Sequence, residues 1–413
     1  MPASDLPPEL LDIIIDELQD DEPSLLEASL AFKALYPRTR VHLFRAASLS
    51  TESCCDRLRE LITLSPKLAL HFKSLDIEMI NGPEDPICIE LTVIESLVNL
   101  THLSLIRGYW HHLPDTVVFS LQSCSYLRID IGSFFEFRSM GNICSLVQNS
   151  PDLQQVRFTF RNDITDWEEC DLNHSFPCIP APVALYINTS ENFPDPVETV
   201  LKWATLSRPC RFSFRDIRKL DISLPDRNPD VLPHLSQYLT LLGTSLKHLC
   251  VRHGTICSEY FLDCYYYTPI FTLDTGLPNL ASQTLSISSI EQITVTMLRM
   301  PPLILFGRVS RVFEWWISNL SAVNEHCVIR SITFKVITMG DLQEHPASSL
   351  DWDDVWTRLD GCLASYKMAS LERVAITFVP RPAEWDTFKA HMEGNFLSLR
   401  QLGREVVLDA VRF

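Results

Sequence analysis

Residues 97–105 read Leu-Val-Asn-Leu-Thr-His-Leu-Ser-Leu, and this stretch decides the predicted fold. Leu100, Leu103 and Leu105 follow the order Leu-x-x-Leu-x-Leu. Alternation of apolar and polar residues in the second half of the stretch is typical of a strand with one buried face. The stretch therefore predicts a short strand that needs neighbouring units to cover its apolar side.

The same pattern returns along most of the chain. Copies lie at residues 68–77, 126–131, 151–158, 217–222, 245–251, 330–334 and 370–376. Equivalent apolar residues are separated by 28, 24, 29 and 29 residues in the pairs Leu75 and Leu103, Leu103 and Leu127, Leu127 and Val156, and Leu220 and Leu249. Periods of roughly 20 to 29 residues are typical of leucine-rich repeats.

The repeats predict an α/β fold for residues 46–413. In this prediction each strand joins one parallel sheet of a right-handed, irregular solenoid, and each intervening helix or loop covers the convex side. The asparagine usual in such repeats is mostly absent, so other groups must satisfy the backbone there. The domain resembles leucine-rich-repeat domains, and an unrelated α/β domain is the alternative.

Amphipathic helices are predicted between the later strands. Three are marked by apolar residues at helical spacing: Val312, Trp315, Trp316 and Leu320; Trp352, Trp356, Leu359 and Leu363; and Trp385, Phe388 and Met392. Residues 162–182 and 225–229 are rich in proline and charge and predict loops. Residues 253–283 form a longer insertion with six aromatic residues, which either packs on the neighbouring repeat or binds a partner.

The first 45 residues are predicted to form a separate helical module. Pro7 and Pro8 suit a first helical turn, and Leu11, Ile14, Ile15 and Leu18 follow at the spacing of one helical face, which is predicted to face the core. A second helix is predicted to start at residues 20–23 and to stop at Pro37, and a third to run from Arg38 to Phe44. A bundle of about 40 residues is usually too small to be stable alone. It is therefore expected to pack against something else.

Charge is distributed unevenly in this module. Residues 1–32 contain nine acids and no Lys or Arg, whereas residues 33–45 contain four Lys or Arg and no acid. Leu10 and Ile13 add apolar surface beyond what a small core needs. The module is therefore predicted to be dipolar and to bury its surplus apolar surface against a partner.

Two segments of this module resemble the F-box, above all the F-boxes of the large fungal family. They are residues 6–10 (LPPEL) with Ile14 and Leu18, and residues 28–33 (ASLAFK). The resemblance implies docking on the Skp-type linker of a cullin-based SCF ubiquitin ligase, with a target-recognition domain behind. The linker-binding residues that it implies are Leu6, Pro7, Leu10, Ile14, Leu18, Leu30 and Leu35. The second helix departs from the family pattern, because Ala28 stands where Cys is common and Leu35 where Trp is common.

Composition limits the classes of function. The chain has 413 residues, of which 46% are hydrophobic, and this favours a folded protein. Its 35 basic and 52 acidic residues give a net charge of −17, which disfavours binding to nucleic acid or to anionic membranes. The sequence has no uninterrupted apolar run of about 18 residues and starts acidic, so neither a membrane span nor secretion is predicted. We expect a cytoplasmic or nuclear protein.

No motif predicts catalysis or a cofactor. The sequence lacks G-x-S-x-G, G-x-x-x-x-G-K-[ST] and H-E-x-x-H, and its 13 cysteines include no C-x-x-C pair. His111 and His112 are adjacent and are expected to point to different sides, which disfavours a shared metal ion. We therefore expect a protein without metal, cofactor or enzymatic activity. A hydrolase or transferase is the remaining alternative, because catalytic residues that are distant in sequence can come together in the folded protein.

Strand residues between the core positions would line the concave face and form the predicted target-binding surface. Four of them are basic: Arg128, Arg157, Lys219 and Lys247. They predict a local basic track suited to an acidic or phosphorylated segment of an unidentified target protein. Ordinary solvated strand residues are the alternative. The sequence as a whole predicts an F-box substrate receptor, with a repeat scaffold whose N-terminus is only a cap as the main alternative.

Overall fold

The computed structural model describes residues 6–78, 87–137, 139–160, 182–189, 196–205, 214, 216–224, 231–253, 284–300, 302–324, 327–338, 350–379, 381 and 385–411. The strands are β1 (Ala46–Leu49), β2 (Ser74–Glu78), β3 (His102–Tyr109), β4 (Arg128–Glu136), β5 (Gln155–Phe160), β6 (Ala184–Thr189), β7 (Lys219–Leu224), β8 (His248–His253), β9 (Gln292–Met300), β10 (Ser331–Thr338), β11 (Arg373–Val379) and β12 (Glu405–Ala410). The α-helices are α1 (Pro8–Glu17), α2 (Glu22–Ala31), α3 (Tyr36–Leu43), α4 (Glu52–Leu64), α5 (Asp115–Ser123), α6 (Met140–Val147), α7 (Pro196–Thr205), α8 (Val231–Leu242), α9 (Pro302–Ser321), α10 (Leu350–Leu363), α11 (Trp385–Asn395) and α12 (Leu397–Gln401).

The described residues form two compact units, the first up to Val156 and the second from Arg157 onward. In the first unit, β1 to β4 form a parallel sheet in sequence order. In the second unit, β6 to β12 do the same. The prediction of an α/β fold with a parallel sheet is therefore confirmed.

The strand register reproduces the spacing of the sequence repeat. Leu75 lies opposite Leu103, and Leu220 lies opposite Leu249, as predicted. The next step differs, because Leu103 lies opposite Ile129 and not opposite Leu127. The reason is that β4 begins only at Arg128, so Leu127 belongs to the connection before the strand.

A repeated backbone contact links each of the strands β2 to β5 and β7 to β11 to the strand before it. The carbonyl oxygen of Arg45 accepts hydrogen bonds from the N–H groups of Lys73 and Ser74, at 2.7 and 3.0 Å. The carbonyl oxygen of Lys73 is shared in the same way by Thr101 and His102. The corresponding acceptors that follow are Thr101 and Leu127 in the first unit, and Val183, Arg218, Lys247, Glu291 and Arg330 in the second. Because asparagine is rare in these repeats, other groups were expected to satisfy the backbone. Before these strands, the backbone carbonyl groups accept the N–H hydrogen bonds themselves.

Helices cover the core side of the sheet where the apolar periodicity predicts them. In the second unit, Phe334 of β10 packs on Phe313 of α9, which in turn meets Trp356 of α10. Trp316 of α9 and Leu359 and Leu363 of α10 are buried, as are Trp385 and Met392 of α11. The side chain of Trp352 lies outside the described residues.

The predicted end of the second helix in the N-terminal module, and the predicted start of the third at Arg38, are wrong. The second helix ends at Ala31, because Phe32 adopts an extended conformation, and Leu35 lies in a short 3-10 helix, Lys33–Leu35. Pro37 does not stop that helix. It lies in the first turn of α3, where a residue without an N–H group is tolerated.

Some strands escaped prediction, and some predictions lie outside the described residues. β1, β6, β9 and β12 were missed. β6 and β12 have Pro182 and Gly403 at the first position of the Leu-x-x-Leu-x-Leu pattern, whereas β9 carries the pattern as Ile290, Ile293 and Val295 and was overlooked. The loop predicted at residues 162–182, apart from Pro182, the loop predicted at residues 225–229 and the aromatic residues of the insertion belong to the parts of the chain that are not described. Within the described ranges, no helix combines the length and apolarity needed to cross a membrane.

Gly132 provides a test of the irregular pairing between β3 and β4. The register of these strands shifts after Leu105, and a Cβ atom on residue 132 would lie 2.6 Å from the backbone oxygen of Ile106. We expect Gly132→Ala to lower the free energy of unfolding by about 1 to 3 kcal/mol, because a backbone atom cannot rotate away from the added methyl group. Urea unfolding followed by circular dichroism measures this change.

Gly361→Ala is the matched control. Gly361 lies within α10, and a Cβ atom there would meet nothing within 4 Å. This substitution should raise the free energy of unfolding by about 0.5 to 1 kcal/mol, because alanine favours a helix over glycine. Equal effects of the two substitutions would contradict the close approach at Gly132.

Candidate functional site

The N-terminal module is held together by few buried side chains. The core residues of its three helices are Leu11 and Ile15 of α1, Leu25 of α2 and Thr39 of α3. Beyond α3, Phe44 packs edge-on against Phe72, with ring centroids 6.2 Å apart. The module therefore leans on the start of the first unit, as its small size predicts.

Large apolar side chains of α1 and α2 remain exposed, and we call them the N-terminal apolar surface: Leu10, Ile13, Ile14, Leu26 and Leu30. Leu10, Ile13 and Ile14 are neighbours on α1 at i, i+3 and i+4, and Leu26 and Leu30 are neighbours on α2 at i and i+4. Leu30 is 88% exposed and Ile13 is 56% exposed. Each helix thus presents an apolar strip away from the core.

The seven residues implied by the F-box resemblance all lie in this module. Pro7, Leu10, Ile14 and Leu30 are exposed, whereas Leu6, Leu18 and Leu35 are half-buried. Ile14 was predicted to share a core-facing stripe with Leu11, Ile15 and Leu18, and that prediction is wrong. The core selects only Leu11 and Ile15, because a bundle this small covers a narrow stripe of α1. Ile13 and Leu26, which were not among the seven, extend the exposed strips.

Asp16 joins α1 to α3. Arg38 donates to both carboxylate oxygens, from Nε to Oδ1 and from Nη2 to Oδ2, each at 2.6 Å. His42 Nε2 lies 2.7 Å from Oδ1. The hydrogen bonds from Arg38, and then from His42, lower the pKa of Asp16 to about 2. The acidic and basic halves of the module are therefore cross-linked at this residue.

A second surface lies on the sheet of the second unit. The guanidinium carbon of Arg157 on β5 lies 5.1 Å from the ring centroid of Tyr186 on β6, and Lys219 Nζ on β7 lies 5.2 Å from the same centroid. Both distances are within the range of cation–π attraction. Asp221 lies directly opposite Tyr186 in the strand register. We call Arg157, Tyr186, Lys219, Asp221 and Arg252 the Tyr186 cluster.

Asp221 is unusual for a carboxylate on a strand. It is only 4% exposed, although strand alternation places it on the face opposite to Leu220 and Ile222. Arg252 Nη2 donates to Oδ2 at 2.6 Å. A buried charge needs a partner of opposite sign, and Arg252 supplies it.

The Tyr186 cluster is positively charged within an acidic protein. Among its five residues Arg157, Lys219 and Arg252 are cationic and Asp221 alone is acidic, in a chain of net charge −17. Further along the sheet the row of positions that contains Asp221 becomes neutral, with Cys250, Thr294, Thr333 and Ala375 in register. The two flanking rows, which contain Lys219 and Arg252, carry further cations at Arg373 and Lys335.

The four cations predicted to form a basic track have different surroundings. Arg157 and Lys219 meet at Tyr186. Arg128, in the first unit, pairs through Nη2 with Asp130 Oδ2 at 2.6 Å. Lys247 precedes β8, and its Nζ lies 2.8 Å from Glu291 Oε1. The structure thus brings two of the four together around an aromatic ring, which alternation alone did not predict because Tyr186 belongs to a missed strand.

The titratable groups near the cluster favour binding over covalent chemistry. Burial, and then the charge of Asp221, raise the pKa of the Cys250 thiol to about 11, so it stays protonated at neutral pH. Burial lowers the pKa of His253 to about 3, and its Nε2 accepts a hydrogen bond from Trp316 Nε1 at 3.1 Å. Cys250 and His253 lie on opposite faces of β8, and therefore do not form a nucleophile and base pair.

The adjacent histidines His111 and His112 follow β3. The rings of His111 and His112 lie 4.3 Å apart, so the prediction that they point to different sides is wrong. They follow β3 in a single 3-10 turn, Trp110–His112, in which both rings also contact Tyr109. Nowhere in the described ranges do three or more metal-ligating side chains converge.

Comparison with known proteins assigns no family. A scan of protein-family models finds no match to the chain, and a search of curated proteins finds no match either. Function is therefore inferred from the N-terminal apolar surface and the Tyr186 cluster.

Asp16 gives the first test of the N-terminal module. We expect Asp16→Asn to speed amide exchange in α1 and α3 at pH 7, because Arg38 and His42 lose an ionised partner, and to leave β10 and β11 unchanged. The contribution of Asp16 should be full above its ordinary pKa of 3.8 and should disappear as the pH falls towards about 2, because its pKa is depressed in the folded chain. Exchange mass spectrometry, corrected for the intrinsic rate at each pH, measures both effects.

Asp12→Asn is the control, since Asp12 is an exposed acid on the same helix. It removes the same charge and leaves the pairing of Arg38 and His42 with Asp16 intact. If the two substitutions change exchange equally, the ion pair does not join the helices.

Proposed function

We propose that this protein is a substrate-recognition subunit of a cullin-based SCF ubiquitin ligase, that is, an F-box adaptor. The N-terminal helices would bind a Skp-type linker, and the domain behind them would bind a target protein. The observation that carries the proposal is the N-terminal apolar surface, where Leu10, Ile13, Ile14, Leu26 and Leu30 remain exposed on two short helices. Exposed apolar strips next to a small core are typical of a helical module that completes its packing on a partner.

The energetic argument concerns these side chains. Full burial of a leucine or isoleucine side chain contributes about 1.5 to 3 kcal/mol. Association costs translational and rotational freedom, and this cost removes much of the gain from burial. Several apolar side chains must therefore be buried together to give a net affinity. A partner with an apolar groove is therefore favoured over one that reads charge.

The order of elements supports the same proposal. A helical module is followed by parallel strands in sequence order, with helices between them, as in an irregular leucine-rich-repeat-like solenoid. Solenoids offer an extended face for binding other proteins. A receptor of this kind performs no chemistry of its own. It raises the local concentration of the target near the ubiquitin-carrying enzyme, so that transfer becomes effectively intramolecular.

A second candidate is a repeat scaffold in which the N-terminal helices serve only as a cap. The packing of Phe44 on Phe72 favours it, as do the hydrogen bonds from Lys73 and Ser74 to the Arg45 carbonyl. In this alternative the exposed apolar strips would have no linker to bind. Binding of a purified Skp-type linker distinguishes the two.

The docking test replaces Leu10 and Ile14 by Asp in one chain. We expect the double variant to lose binding to a purified Skp-type linker, because each charge would be buried without a partner and would offset the apolar contribution of the original side chain. Surface plasmon resonance with the full chain measures the affinity. Urea unfolding of the same variant checks that the strands remain folded.

Leu64→Asp is the matched control. Leu64 ends α4 outside the module and is 78% exposed, so it tests a charge at another exposed leucine. It should leave linker binding unchanged. The adaptor proposal is wrong if the wild-type chain does not bind the linker, or if the double variant binds it with wild-type affinity.

A further inference from the structure

We propose that the Tyr186 cluster binds an acidic segment of a protein, with Arg157 and Lys219 pairing with its carboxylate or phosphate groups beside the ring of Tyr186. This inference depends on the proposed function only in naming the ligand as a segment of the ligase target. The binding chemistry itself is argued from the second unit alone.

Lys219 is the first reason. Its ammonium group is half-buried, and none of the acids that the structure describes lies within ion-pair distance of it. Its observed contact is the ring of Tyr186, which attracts the cation but offers no lone pair to its three N–H donors. An incoming carboxylate or phosphate would supply those acceptors, and charge-assisted hydrogen bonds are stronger than neutral ones.

Placement of the charges is the second reason. Arg157 and Lys219 approach Tyr186 from strands on either side of β6, so one ring lies between two positive groups. Arg252 is held in place by the buried carboxylate of Asp221, with Nη2 and Oδ2 2.6 Å apart. The cations are therefore set on rigid strands and not on loops, which favours a defined binding geometry.

Charge also selects among acidic ligands. A nucleic acid or an anionic membrane presents many negative charges to the whole chain, and the net charge of −17 repels them. A short acidic segment experiences mainly the local field, because screening limits exposed charges to about 8 to 10 Å at physiological salt. A peptide segment is thus the class of ligand that fits a small basic cluster on an acidic protein.

The experiment uses the immobilised full chain without any linker. Three peptide libraries share random flanking residues and carry at the centre two glutamates, two phosphoserines or two glutamines. We expect the wild-type chain to retain the glutamate or the phosphoserine library above the glutamine library. Whichever acidic library is retained more strongly identifies carboxylate or phosphate as the preferred group.

The variants test the residues. Arg157→Gln combined with Lys219→Gln should reduce retention of the preferred library by about tenfold or more, as expected for the loss of charge-assisted hydrogen bonds. Lys219→Arg keeps the charge and should retain the library. Lys335→Gln is the matched control, because Lys335 is an exposed lysine on β10, where the neighbouring strand positions opposite it are Thr296 and Thr377. It should have no effect.

Three results would overturn the proposal. They are equal retention of all three libraries, unchanged retention by the double variant, or a preference of the cluster for single-stranded RNA as a competing probe that the double variant abolishes. Failure here leaves linker binding untouched, since the variants lie outside the N-terminal module. Failure of linker binding would in turn leave the peptide result standing, so the two proposals can be separated.

Discussion

The strands β2 to β5 and β7 to β11 each depend on one carbonyl group located just before the preceding strand. That oxygen accepts hydrogen bonds from two successive N–H groups of the next repeat. The carbonyl group of Lys73 does so in the first unit, and the carbonyl group of Lys247 does so in the second. A single repeat can neither pair all its backbone groups nor bury its apolar face, so each repeat is stabilised by its contacts with the neighbouring repeats. The same contact fixes the register, and the register decides which polar side chains meet on the opposite face of the sheet.

The two candidate binding surfaces are formed by side chains that the packing of the strands and helices leaves outside the apolar core. Pairing of β6 with β7 places Tyr186 opposite Asp221, and Lys219, two residues before Asp221, contacts the same ring. In the N-terminal module, by contrast, a small core leaves apolar side chains exposed on α1 and α2. One surface is suited to charge recognition and the other to apolar docking. The proposed receptor would need both kinds of surface, one for a linker and one for a target.

Sequence periodicity predicted the parallel strands and the helices of the second unit, because alternation and helical spacing directly report burial. It missed β6, where Pro182 stands at the first position of the Leu-x-x-Leu-x-Leu pattern, and with it the ring that Arg157 and Lys219 both contact. It also placed Ile14 in the core, since periodicity shows which residues can be buried and not how wide a stripe the neighbouring helices cover. The pairing of Lys247 with Glu291 was likewise hidden, because it joins residues of different repeats.

The register itself can be measured with a native cysteine. Cys250 lies opposite Thr294, and neighbouring strands are about 4.8 Å apart, within the range that a disulfide spans. Thr294→Cys should therefore form a disulfide with Cys250 under catalysed oxidation, identified by peptide mass spectrometry. Gln292→Cys, opposite His248, should not, because a shift of two residues exceeds the disulfide limit of about 7 Å. Cross-linking of Cys250 to residue 292 and not to residue 294 would contradict the in-register parallel sheet.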